Sequence, residues 1–111
     1  MRKSENIDSV IAQLCDTIHS RKGGDESESY TARLFSRGTD KIAQKLGEEA
    51  IETVIAAVGK DREGTIRESA DLIYHLLVLW EDAEITPEEV LTELKRRKGV
   101  SGIAEKASRN K

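Results

Sequence analysis

The chain has 111 residues, of which 37% are apolar, 35% charged and only 4% aromatic, so it holds one domain, residues 1–111, with a thin core. A net charge of −3 offers no overall basic field for nucleic acid. A single cysteine, Cys15, excludes an internal disulfide and a multi-cysteine zinc site, and it fits a small buried residue in a reducing compartment.

Residues 1–8 lack the apolar core of a signal peptide, and the run Leu72 to Trp80 is far too short to span a bilayer. The expectation is a soluble, cytoplasmic protein with no membrane partner. Helical periodicity dominates, and no segment alternates cleanly with period two. The first helix is predicted from about Asn6 to Ser20, with Ile7, Val10, Ile11, Leu14 and Ile18 as its apolar stripe. A polar loop from Arg21 to Ser29 leads to a short helix around Tyr30 to Ser36, closed at Gly38. Thr39 is predicted to cap a helix that runs to Val58 and stops at Gly59. The next helix starts at Asp61 or Arg62 and runs to Asp82. Thr86-Pro87-Glu88-Glu89 combines a cap, a proline at the first helical position and a glutamate three residues after the cap. That helix is expected to reach Lys98, and Ser101 to cap a last short helix through Ala107.

These elements predict an all-α fold, an antiparallel bundle of four to five main helices. The segment Leu72 to Trp80 is hard to cover with so few apolar partners. Homodimerisation is therefore expected to complete the bundle.

Chemistry concentrates in two acidic stretches, Glu48-Glu49-Ala50-Ile51-Glu52 and Glu68-Ser69-Ala70-Asp71. From Ser69 to Trp80 the only formal charge is Asp71. A buried carboxylate costs several kcal/mol unless it is paired, hydrogen-bonded or bound to a metal. At about 100° per residue, Lys45, Glu49 and Glu52 share one sector beside the apolar stripe of Ile42, Leu46, Thr53 and Ala57. Glu68, Asp71 and His75 share a sector on the following helix. A turn around Gly59 to Glu63 brings the two sectors face to face. Four converging carboxylates repel, and hard divalent cations supply the missing charge; all-oxygen sites suit Mg²⁺ and Mn²⁺. Such sites suggest phosphate-ester or pyrophosphate chemistry. Paired glutamates on a helix are also the ordinary pattern of a solvated face, and His75 fits a hydrogen-bonded core residue better than a ligand.

Cations accompany the acids. Lys41 and Lys45 lie one turn apart beside the carboxylate face, and Arg37 precedes Gly38; all three are candidate phosphate contacts. Lys41 and Lys45 equally suit ion pairs along their own helix. The run Lys95-Arg96-Arg97-Lys98 before Gly99-Val100-Ser101-Gly102 could meet a phosphate or merely complement a helix dipole.

The pattern Glu48-Glu49-x-x-Glu52, fifteen intervening residues, Glu68-x-x-Asp71 resembles the all-α nucleoside triphosphate pyrophosphohydrolase (MazG-like) superfamily. Four segments resemble its phosphoribosyl-ATP pyrophosphatase family more specifically. They are Ser29-Tyr30-Thr31, Gly38 to Ala50, Glu68 to Leu76 and Arg97 to Ile103, and the likeness spans roughly residues 5–108. The resemblance implies hydrolysis of phosphoribosyl-ATP to phosphoribosyl-AMP and pyrophosphate, with Mg²⁺, at the second step of histidine biosynthesis. It implies a helical homodimer and metal ligands at Glu49, Glu52, Glu68 and Asp71. Glu48 belongs to the same motif, as ligand, water-orienting base or supporting group. Glu48, Glu49 and Lys45 are the catalytic candidates, and Arg37, Lys41 and Lys45 the phosphate contacts. The chain looks like a free-standing form without a fused cyclohydrolase. Three rivals remain: a general (d)NTP pyrophosphatase, a di-iron carboxylate protein and a non-catalytic dimerisation module. The missing Glu-x-x-His argues against di-iron.

Overall fold

A computed structural model describes residues 6–99 and 102–109. Its helices are α1 (Ile7–Arg21), α2 (Tyr30–Arg37), α3 (Thr39–Val58), α4 (Arg62–Asp82), α5 (Pro87–Arg97) and α6 (Gly102–Arg109), with no strand among the described residues. The fold is all-α, as expected.

Most starts follow from side chains that satisfy free backbone N–H groups. The Asn6 side chain accepts from the Ser9 N–H, that of Ser29 from Ala32, and that of Asp61 from Gly64. A Cβ at position 64 would meet the Asp61 carboxylate, so the side chain that caps the helix would have to shift. Thr86 and Glu89 form the complete capping box read from the sequence. The α3 start differs from expectation. Gly38 occupies the cap position with no side-chain hydrogen bond, and its φ of 91° lets α2 turn directly into α3. Thr39 is already helical, and its hydroxyl donates to the Asp82 carboxylate at 2.6 Å, tying the start of α3 to the end of α4. At the other end, α5 stops at Arg97 with Lys98 as its cap. Ser101, expected to cap the last helix, lies outside the described residues.

α3 and α4 pack along their lengths as a hairpin around Gly59-Lys60-Asp61, and α1 and α2 lean on them. The core is Ile18, Leu34, Ile42, Leu77 and Val78, with Ile11, Leu14, Phe35 and Trp80 packed against it. Much apolar surface stays outside. Ile51, Val54, Ile55 and Val58 recur at helical spacing on α3, and Val58 is 75% exposed. Ile7 and Val10 of the expected α1 stripe are also exposed, whereas Ile18 is fully buried. The Cα radius of gyration is 16.3 Å, against about 13 Å for a compact domain of 100 residues.

Candidate metal centre and its basic flank

The α3–α4 hairpin sets Glu49 opposite Glu68 and Asp71. One carboxylate oxygen from each lies within 4.8 Å of the others. Two like charges at that separation repel by roughly 3–4 kcal/mol near a protein surface. Glu49 is buried and Glu68 half-buried, and Oε1 of each is sealed from water with no hydrogen-bond partner. Buried polar atoms without partners are rare, and each demands an explanation. A divalent cation at the convergence point would satisfy both oxygens and turn the mutual repulsion into attraction. An all-carboxylate donor set suits a hard ion.

The structure alters two expectations. Asp71 is exposed, so the burial cost falls on Glu49 and Glu68 instead. Successive residues point 100° apart, so a charge in an apolar run needs only its own sector open. Ala70 and Ile73, beside Asp71, are exposed as well. Second, three of the four expected acids converge. Glu52 is exposed, one turn along α3, and stands outside that group.

His75 is buried with both ring nitrogens occupied. Nδ1 lies 2.8 Å from the Asp71 carbonyl, which can only accept, so the proton sits on Nδ1. Nε2 therefore accepts from the Tyr30 hydroxyl at 3.3 Å. His75 is the hydrogen-bonded core residue the sequence favoured. The hydroxyls of Thr31 and Tyr74 also meet, joining α2 to α4. An apolar groove of about 620 Å³ between α1 and α4 has Asp71 in its lining.

Glu48 faces the other way. It accepts from Gln44 at 2.9 Å and pairs with Lys45 at 3.2 Å. Those hydrogen bonds, Gln44 first, hold its carboxyl below the usual carboxylate range. Glu48 and then Tyr30 in turn push the Lys45 ammonium up, with Glu49 adding to the effect. Lys45 also lines a cavity of about 140 Å³ together with Tyr30, Arg33, Leu34, Arg37 and Lys41. All three phosphate candidates thus meet at one place. Arg33 was missed, although it precedes Arg37 by one helical turn in α2. In the Lys95–Lys98 run, Glu93 takes Arg96 and Arg97 at 2.8 and 2.9 Å, and they pull its carboxyl down to about 2. Cys15 is a half-buried free thiol, pushed up by burial and by Asp16.

Fold and site together define an all-α protein with an acidic, cation-seeking helical hairpin. A family model described as phosphoribosyl-ATP pyrophosphohydrolase matches residues 11–98, and the chain belongs to that family. It is 59% identical over 102 residues to a phosphoribosyl-ATP pyrophosphatase of Gluconobacter oxydans, covering 92% of this chain and 77% of the relative. It is 55% identical over 102 residues to that of Paramagnetospirillum magneticum, covering 92% and 94%. The corresponding protein of Azospirillum brasilense is 57% identical over 100 residues, covering 90% of each. The chain is an enzyme, and the non-catalytic module is set aside. Among the described residues, no helix is long and apolar enough to cross a membrane.

Proposed function

We propose that this enzyme hydrolyses the α–β phosphoanhydride of phosphoribosyl-ATP, giving phosphoribosyl-AMP and pyrophosphate, at the second step of histidine biosynthesis. The observation that carries the reading is the convergence of Glu49, Glu68 and Asp71 with two orphaned buried oxygens, in a chain of this family. Glu49, Glu68 and Asp71 would hold a divalent cation, Mg²⁺ or else Mn²⁺, with Glu52, one turn along α3 from Glu49, as the fourth acid. Such an ion, when bound, neutralises phosphate charge and acidifies a neighbouring water.

The chain's own groups do the rest. Glu49, buried on α3, has a second carboxylate oxygen besides the sealed Oε1, and that oxygen orients and accepts a proton from the attacking water, the role a positioned carboxylate plays as general base. Glu48 is engaged with Gln44 and Lys45, and its lowered basicity suits a residue that fixes the lysine. Lys45, held protonated, lies between the acids and the basic cavity and offsets charge on the departing pyrophosphate.

A homodimer accompanies this reading. The α3 stripe of Ile51, Val54, Ile55 and Val58 is a partnerless apolar face, and the chain is more extended than a compact monomer of its length. Sedimentation at micromolar concentration giving one chain per particle overturns it.

Turnover of phosphoribosyl-ATP with separate detection of pyrophosphate and orthophosphate tests the reaction. Stoichiometric pyrophosphate is expected. Equal or faster cleavage of a dNTP panel makes the enzyme a general nucleotide pyrophosphatase instead, and orthophosphate as first product rejects α–β cleavage.

A further inference from the structure

We infer that the cavity between α2 and α3 is the leaving-group subsite, which takes the β,γ-pyrophosphoryl end of the substrate, with Arg33 as an additional contact. The inference rests on the reaction proposed above. Four cationic side chains, Arg33, Arg37, Lys41 and Lys45, line about 140 Å³ in a chain whose net charge is −3. Among the described residues one carboxylate pairs with them, Glu48 with Lys45, while Glu49 adds to the field at Lys45 and Lys41 to that at Glu48. Arg33 spends one N–H on the Glu26 carbonyl, and Arg37 and Lys41 make no hydrogen bond or ion pair among the described residues. Uncompensated like charges gathered at a concavity focus a positive field that an anion relieves.

Position and charge identify the anion. Lys41, Lys45 and Glu49 follow one another at four-residue steps on one face of α3, each step rising about 6 Å. The cavity therefore begins one turn from the acids that hold the bond to be cut. A single phosphate monoester carries about −1.5 to −2, which leaves the four cations with positive charge in excess even after Glu48 is subtracted. Two linked phosphates match the site better. When water's oxygen bonds to the α-phosphorus, the bond from that phosphorus to the bridging oxygen breaks. The bridging oxygen keeps the electron pair and leaves on pyrophosphate, and water's proton passes to the carboxylate. Charge therefore grows where the cations stand. Tyr30 gives the anion no donor, because its proton is committed to His75 Nε2.

Titration calorimetry of inorganic pyrophosphate into the Mg²⁺-loaded protein tests the subsite, with ribose 5-phosphate as the second probe. Arg33→Ala and Arg37→Ala alter exposed side chains of α2 and should leave the helical circular dichroism intact. Each is expected to weaken pyrophosphate about tenfold, with ribose 5-phosphate unaffected and Arg37→Lys recovering part of the loss. Unchanged pyrophosphate affinity, absent binding to wild type, or a loss confined to ribose 5-phosphate overturns the assignment. The measurement needs no turnover. A wild-type protein that binds pyrophosphate through these arginines but leaves phosphoribosyl-ATP intact sinks the proposed reaction and not the subsite.

Discussion

The two ends of one α3 face are built in opposite ways. At Glu49 two of the three carboxylates hold an oxygen sealed from water, and the three come from two helices and converge within 4.8 Å. At Arg33, Arg37 and Lys41 they are long arms around an open cavity, drawn from α2 and the first turns of α3. The buried end stores electrostatic cost that a cation releases, so each member should carry a large, specific effect. The open end spreads charge over several flexible groups, each screened by water and salt. Its members should contribute modestly and in roughly additive steps.

The contrast is sharpest at Glu49. Glu49→Gln is expected to lower kcat/KM at least about 100-fold, comparable to removing a key charge-stabilising group. The metal-free variant should melt no lower than wild type, because the lost charge has an unpartnered oxygen in the fold. Steady-state kinetics beside thermal melts separates these. A variant that keeps activity, or that loses it by unfolding, breaks the comparison.

Metal addition comes next. Mg²⁺ or Mn²⁺ at 100 times its Kd should stabilise the protein by about 2.7 kcal/mol, a rise in Tm of roughly 10 °C. The shift should vanish in Glu49→Gln and survive in Lys41→Ala. A flat melting curve in both metals removes the metal centre.

Glu48→Gln should cost less than about tenfold in kcat/KM, the range of a group acting through a neighbour. Adjacent glutamates then differ because one faces the acids and the other faces Lys45. The pH signature has a definite sign. The Glu48 carboxyl lies below its ordinary range, so its pairing with Lys45 is intact above the unfolded value and fades as pH falls through the lowered one. In the variant the Lys45 ammonium, pushed up only by Tyr30 and Glu49, should titrate closer to the ordinary lysine value by NMR. A Glu48→Gln loss as large as that of Glu49→Gln would assign both residues to the chemistry.

These differences also mark what the sequence could and could not disclose. Helix order was legible because helical periodicity and the Thr86–Glu89 box are local signals, and the Asn6, Ser29 and Asp61 caps that the structure adds also have partners within a turn. The facing of Glu49 with Glu68 was legible because helical spacing and a short hairpin fix it. Exposure was not: the apolar neighbours of Asp71 suggested burial, but which side of α4 is covered depends on the packing of α1 and α2. Arg33 went unnoticed for the same reason. Its one-turn spacing from Arg37 was visible, while the lysines completing the cavity stand on another helix.

Thr39 shows how a local signal can be diverted by tertiary structure, and its effect is the smallest expected. A threonine after a glycine reads as a cap, worth about 1 kcal/mol. Gly38 holds that place, and the Thr39 hydroxyl reaches Asp82 instead. The pair closes the α3–α4 hairpin where the cationic end of α3 begins, so it anchors the open end as the short turn at Gly59 anchors the buried one. Thr39→Val and Asp82→Asn should each destabilise by about 0.5–1.5 kcal/mol, and the double variant by little more than either alone. Thr86→Ala, a true cap, should add independently to both. If urea melts show Thr39→Val and Asp82→Asn to be additive, the hydroxyl is acting within its own helix. The cationic end would then rest on α2 alone.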